Sequence, residues 1–303
     1  MARESASTPA VSPVKIWLMA SRVRTLPAAV APVLVGTALA ATGGTFRVGV
    51  FVAAMLGAVF IQIGTNLSND YSDARRGADT EDRLGPVRVT AGGLVPPRQV
   101  LIATYATFGA AVLCGVYLVA VSGWQLLVIG VLSIAAGVLY TGGPRPYGYE
   151  GLGEVFVFLF FGIVAVAGST FAQVERFPWE AFAFAVPVGL LASAILVVNN
   201  VRDLDTDRRV GKKTLAVRLG RERTRTMFAA MVYLAFVAAP LPLIGGVLTP
   251  WLLLPWLALP LAARLVRTVR NHADGPTLNG ALAATGQLQL VFCVLLAAGI
   301  LAS

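Results

Sequence analysis

The chain has 303 residues, of which 57% are hydrophobic and 13% charged, and a net charge of +9. A soluble domain carries about a quarter charged residues, so most of this surface must face lipid and a soluble globular class is excluded. The basic excess does not point to nucleic acid, because it is sorted by membrane side rather than gathered in one patch.

Residues 1–13 are polar and small and read as a disordered tail without a cleavable signal, which leaves 14–303 as one intramembrane domain. Nine apolar runs long enough to span follow, at roughly 24–42, 48–69, 99–121, 124–141, 154–172, 180–201, 225–245, 248–267 and 281–301. Barrel-type alternation is absent, so the expected fold is all-α: a polytopic bundle of nine transmembrane helices with cytoplasmic loop and cap segments. With nine spans, the N-terminal tail and the even-numbered loops share one side. That side collects Arg22 and Arg24, Arg75 to Arg98, Arg145, Arg202 to Arg225, and Arg264, Arg267 and Arg270, against Arg47 and Arg176 opposite. The positive-inside rule places the basic side in the cytoplasm of a bacterium and the C-terminus outside its inner membrane. Trp124, Trp179 and Trp251 fall at short loops on the charge-poor side, as interfacial anchors do. Cys114 and Cys293 lie in apolar runs with no metal-type spacing and read as packing thiols.

Two acidic clusters close the second and sixth runs. The first is Asn66-Leu-Ser-Asn69-Asp70-Tyr71-Ser-Asp73-Ala-Arg75-Arg76-Gly77, the second Asn199-Asn200-Val-Arg202-Asp203-Leu-Asp205-Thr-Asp207-Arg208-Arg209-Val-Gly211. Asn66, Asp70 and Asp73 share one helix face, as do Asn199, Asp203 and Asp207. The matching ends suggest a four-helix unit used twice, over about 24–141 and 154–267. Ionisable groups at a span edge are expensive and functional by default, and carboxylates at a helix C-terminus oppose the helix dipole, which argues against simple capping. Their oxygens are hard ligands suited to Mg²⁺, and no His/Cys set for a transition metal exists. The interleaved Arg75, Arg76, Arg202, Arg208, Arg209, Lys212 and Lys213 are partners for a polyanion rather than a metal. Together these point to a metal-bridged diphosphate at a membrane surface, either leaving an allylic carbon or being itself transferred. A CDP-alcohol phosphotransferase would gather its acids in one compact motif, which is missing. A transporter would bury its ionisable groups near the midplane.

The sequence resembles the UbiA-type intramembrane prenyltransferases, on Asn69-Asp70-Tyr71-Ser72-Asp73 and Asp203-Leu-Asp-Thr-Asp207. Within that superfamily it is similar to the branch acting on 1,4-dihydroxy-2-naphthoate. The segments are Gln62 to Tyr71, Gly77 to Pro86, Tyr140 to Glu154 and Gly211 to Gly220. Gly77 stands where many members carry a further acid, which leaves the role of Asp79 open.

The resemblance implies polyprenyl diphosphate as donor, 1,4-dihydroxy-2-naphthoate as acceptor, and a pair of Mg²⁺ ions held by Asn66, Asp70, Asp73, Asn199, Asp203 and Asp207. Asp70, Asp73, Asp203 and Asp207 are then the catalytic acids. Arg75, Arg202, Lys212 and Lys213 are expected on the diphosphate. Arg145, with Tyr140 and Tyr149, is expected on the acceptor carboxylate, and Gln62 and Tyr71 on the cavity wall. Glu154 would orient a basic partner, while Asp205 and His272 read as solvated. The isoprenoid tail must leave sideways into membrane lipid. Other aromatic acceptors of the superfamily are the near alternative.

Overall fold

The computed structural model describes residues 12–79, 83–240, 242 and 249–303. The expected disordered tail falls almost wholly outside the described residues; helix α1, Pro13–Ser21, begins with Ser12 as its N-cap. A left-handed Arg22, a 3-10 turn and Pro27 then separate α1 from α2, Pro27–Thr42. Proline at the first helical position costs no hydrogen bond there. Next come α3, Val48–Arg75, α4, Pro97–Ser122, and α5, Gln125–Leu139. Helix α6, Gly153–Val157, continues through a π segment, Phe158–Val164, into α7, Ala165–Val174. The 31-residue α8, Trp179–Arg209, is followed by the short α9, Leu215–Leu219, and by α10, Arg221–Ala238. A 3-10 segment, Pro250–Ala258, leads into α11, Leu259–Asn271, and α12, Gly275–Leu301, closes the chain. No strand occurs among the described residues.

Among the described residues, six helices are long and apolar enough to cross a membrane: α3, α4, the α6–α7 unit, α8, the 3-10/α11 unit and α12. A seventh follows if α1 and α2, bent by 51°, count as one span. This is fewer than the nine apolar runs, for local reasons. Helix α5 has 15 residues, a length of about 22 Å against a hydrocarbon core of about 30 Å. Helix α10 spends its first turns on Arg221, Glu222, Arg223 and Arg225, and residues 243–248, which would extend that run, lie outside the described residues.

Helix α8 is the central element, with 72% of its apolar window buried. Lipid is as apolar as leucine, so helices here associate by close contact rather than by escape from water. The glycines record this. A Cβ on Gly162 of the π segment would come within 2.7 Å of Gly189 Cα on α8, and one on Gly36 of α2 within 2.4 Å of the Val166 carbonyl. At the end opposite the acidic motifs, Arg47 joins three elements. It pairs with Glu175 at 3.0 Å, donates to the Val121 carbonyl at 2.6 Å and exchanges backbone bonds with the Gln173 amide. Cys114 and Cys293 are both free thiols.

Candidate active site

Both acidic helices end in the same cap. On α3, Ala78 N–H donates to the Asp73 carbonyl and Gly77 N–H to that of Ala74, with Gly77 at φ +65°. On α8, Lys212 N–H donates to the Asp207 carbonyl and Gly211 N–H to that of Arg208, with Gly211 at φ +77°. This is the Schellman arrangement, in which a left-handed glycine turns the chain back and satisfies the last carbonyls. It explains Gly77: any other residue there would carry the left-handed penalty. The shared cap also sets a register. Asp73 corresponds to Asp207, Asn69 to Asp203 and Asn66 to Asn200, each trio one helical stripe.

All six of these residues, together with Asn199, line one cavity of about 720 Å³. Asp70 does not line it. Its carboxylate stands behind the row and accepts N–H bonds from Val89 at 3.2 Å and Thr90 at 2.9 Å, holding the loop after α3 against that helix. Asp73 is the most engaged acid. It accepts the Tyr149 hydroxyl at 2.6 Å and lies 3.5 Å from Arg88 and 3.7 Å from Lys212. Burial, and then the charge of Asp73, push the Tyr149 phenol well above its ordinary value, so it remains a donor. Lys212 Nζ also sits 4.6 Å over the Tyr149 ring.

Arg202 is buried and holds its neighbours. It donates to Asp203 at 2.6 and 2.8 Å, to Asn199 Oδ1 at 2.7 Å and to Asn279 Oδ1 of α12 at 2.7 Å. Asn279 in turn donates to the Leu84 carbonyl at 3.0 Å, which ties the 83–86 loop to α12. Arg75 turns away to the Tyr71 hydroxyl at 3.1 Å, and neither of the two lines the cavity. Lys213 and Arg145 are exposed and also lie off the wall. Gln62, Tyr140 and Tyr149 are on it.

The cations that do face the cavity include three that motif reading assigned only to topology: Arg22, Arg83 and Arg88. Each carries a buried guanidinium nitrogen with no hydrogen-bond partner (Arg22 Nη2, Arg83 Nε and Arg88 Nε). An unpaired buried donor costs free energy until something accepts from it, and three around one cavity ask for an anion. The available signal was the position of Arg22 in a helix break just ahead of Pro27. Asp79 accepts from Arg83 and lies 3.5 Å from Arg88 Nε, so it steadies these cations. Burial raises its carboxyl while Arg83 opposes that rise.

The loop between α5 and α6 forms the adjoining wall. Gly148 N–H donates to the Tyr140 carbonyl at 3.0 Å, and a Cβ on Gly148 would meet that oxygen at 2.7 Å. Close approach brings Tyr147 onto the face of Phe156, ring centroids 4.0 Å apart, and edge-on to Tyr140 at 5.4 Å. Arg218 bonds to the Glu150 carbonyl at 2.8 Å and Lys213 N–H to that of Tyr149 at 2.9 Å, tying this loop to the one after α8. Glu154 accepts from the Asn200 amide at 2.8 Å; it orients an amide rather than the expected base. Beyond the aromatic wall the cavity becomes apolar, running between α3, α4, α5 and the π segment past Ile61, Val116, Ile134 and Val164.

Among the described residues no three of His, Cys, Asp and Glu converge on one point. The donor set is instead mixed, carboxylate with amide oxygens from two helices, with cations alongside that keep unbonded guanidinium nitrogens. That chemistry fits a hard divalent ion sharing its shell with phosphate oxygens.

The UbiA prenyltransferase family profile matches residues 29–279. A Mycobacterium tuberculosis protein named 1,4-dihydroxy-2-naphthoate octaprenyltransferase is 43% identical, covering 93% of this chain and 95% of its own length. The Escherichia coli protein of the same name is 38% identical, covering 97% of each chain. The fold matches a UbiA homolog from Archaeoglobus fulgidus bound to DMAPP and Mg²⁺, with a TM-score of 0.67 at 15% identity over 94% of this chain and 98% of that one. Profile, relatives and fold agree, and the chain belongs to the UbiA prenyltransferase family.

Proposed function

We propose that this protein transfers a polyprenyl chain from polyprenyl diphosphate to 1,4-dihydroxy-2-naphthoate, releasing diphosphate and CO₂ and leaving demethylmenaquinol. The observation that carries the reading is the cavity itself: two matched rows of oxygen donors and three guanidinium groups, each with one buried nitrogen that makes no hydrogen bond, at one end, and an apolar passage at the other. Relatives covering over nine-tenths of the chain bear the name of this activity.

Mg²⁺, as a pair of ions, would be held by Asn66, Asn69 and Asp73 of α3 and by Asn199, Asp203 and Asp207 of α8, with Asp70 supporting from behind. Bound there it would supply Lewis-acid stabilisation of the departing diphosphate. Arg22, Arg83, Arg88 and Lys212 bind the diphosphate oxygens and stabilise the charge that develops as the allylic carbon–oxygen bond breaks. Tyr149 keeps Asp73 aligned. The ring of the acceptor lies against Tyr140, Tyr147 and Phe156. Its carboxylate-bearing carbon attacks the allylic carbon, a carbon–carbon bond forms, and the carboxylate leaves as CO₂ with its bonding pair returned to the ring. Water is kept from the cation-like carbon by the loops at 83–96 and 140–153. The isoprenoid tail follows the apolar passage to lipid.

The wider arrangement is one intramembrane domain over 14–303 in the inner membrane of a bacterium. It crosses nine times, with the site and N-terminus cytoplasmic and the C-terminus outside; the sorting of Lys and Arg supports this.

The test is an acceptor panel. Purified protein in nanodiscs with Mg²⁺ and a polyprenyl diphosphate is given 1,4-dihydroxy-2-naphthoate labelled at its carboxylate, 4-hydroxybenzoate or no acceptor. Prenylated naphthoquinol with stoichiometric labelled CO₂ is expected. Product on 4-hydroxybenzoate alone would move the reading to another acceptor, and no prenylation of either would end it.

A further inference from the structure

The 3-10 segment and α11 form one unit, Pro250–Asn271, whose two sides differ. Ala262, Leu265, Val266 and Val269 face inward and are buried. The outward face runs through Leu253, Leu257 and Leu261, which are 41%, 70% and 38% exposed, and then through Arg264, Arg267 and Arg270, also exposed. Successive side chains are neighbours on a broad stripe that winds round the outer face: a step of four turns about 120° in the 3-10 segment, and each step of three about 60° in α11, so Arg264, Arg267 and Arg270 spread over about 120°.

Depth along the unit separates the two halves of that stripe. A 3-10 rise of about 2 Å and an α rise of about 1.5 Å per residue put Arg264 about 25 Å from Pro250. That is close to the hydrocarbon thickness of about 30 Å. The leucines therefore lie at acyl-chain depth. The three arginines cover a further stretch of about 9 Å, which runs through a headgroup layer of about 5–8 Å and just past it. Among the described residues none gives these guanidinium groups a hydrogen bond or an ion pair. The acids on adjoining segments are engaged elsewhere: Glu222 pairs with Arg225 at 2.7 Å, and Asp274 caps α12 at Thr277 N, 2.9 Å away. Three adjacent like charges repel one another, and a phosphodiester accepts forked guanidinium bonds.

We propose that this face is a binding site for an anionic phospholipid, its phosphodiester seated across Arg264, Arg267 and Arg270 and its acyl chains along Leu253, Leu257 and Leu261. A lipid with net negative charge is selected over a zwitterionic one, because a choline group would bring a fourth cation to the cluster. The site lies outside the candidate active-site cavity and does not depend on which acceptor is prenylated.

Native mass spectrometry of the full chain, released from detergent containing equimolar phosphatidylglycerol and phosphatidylcholine, tests this. Wild type is expected to retain phosphatidylglycerol over phosphatidylcholine by roughly fivefold or more. R264Q/R267Q/R270Q should bring the ratio near one, whereas R264K/R267K/R270K should keep part of it. K15Q/R98Q/R176Q removes three exposed charges elsewhere and should keep all of it. Elution as a single folded peak accompanies each measurement. Equal retention of the two lipids by wild type, or equal losses in the two glutamine variants, would overturn the proposal. So would a dimer that forms through this face with no lipid preference.

Discussion

Asp73 is either an acid of the reaction or only the counter-charge for the cations around it, and a double-variant experiment separates the two. Arg88 and Lys212 lie 3.5 and 3.7 Å from its carboxylate, whose side chain is 3% exposed. At an effective dielectric of about 20, each pair is worth roughly 4–5 kcal/mol before desolvation is subtracted. Removing one partner of a buried pair costs about 3–5 kcal/mol, since the other charge is left uncompensated. Asp73→Asn should therefore lose about 3 kcal/mol in reversible unfolding in mixed detergent and SDS micelles, and at least about 100-fold in kcat/KM for prenyl transfer. Adding Lys212→Gln removes one of the stranded cations, so more than half of the lost stability should return. Activity should not return, because both changes remove groups the reaction uses. If kcat/KM recovers in step with stability in the double variant, Asp73 serves only to balance charge.

Tyr149→Phe deletes the 2.6 Å bond to Asp73, a charge-assisted bond worth about 1.5–3 kcal/mol, and should lower kcat/KM about tenfold or more. Because the Tyr149 phenol is raised, its stabilising bond is complete below the ordinary tyrosine pKa and is lost only as pH climbs through the raised value. The difference in 295 nm absorbance between wild type and Tyr149→Phe should then show no tyrosinate step near pH 10; such a step would contradict the buried donor. Gly77→Ala and Gly211→Ala should each cost about 1–2 kcal/mol, since no atom lies within 4 Å of either added Cβ. Gly148→Ala, which meets the Tyr140 carbonyl at 2.7 Å, should cost more and slow turnover; equal melting shifts for all three would refute the distinction. Glu154→Gln retains an oxygen for the Asn200 amide and should keep near-normal acceptor KM. Glu154→Leu should raise acceptor KM while leaving donor KM in place, and a matching rise in both would assign Glu154 a purely structural part.

Much of this protein was legible in its sequence because the causes are local. Low charge and long apolar runs determine a helical membrane bundle, since only internally bonded helices suit those runs in lipid. The two Asp-rich motifs, each closed by an Arg pair and a glycine, mark helix ends whose acids oppose the helix dipole. What the sequence could not determine depends on helix rotation and on contacts between distant segments. The sequence spacing pairs Asp70 with Asp203, but the shared caps pair Asn69 with Asp203 and leave Asp70 serving the loop backbone at Val89 and Thr90. Arg22 and Arg88 reach the cavity through a helix break and a folded-back loop, while Arg75 and Lys213 point away from it although they lie within the motif segments. Residue type and local spacing thus determined which chemistry the chain carries. Only the tertiary arrangement that sets α3 and α8 on one cavity, with the loops folded over them, decided which atoms meet, because a side chain's direction depends on how its helix is turned against its neighbours.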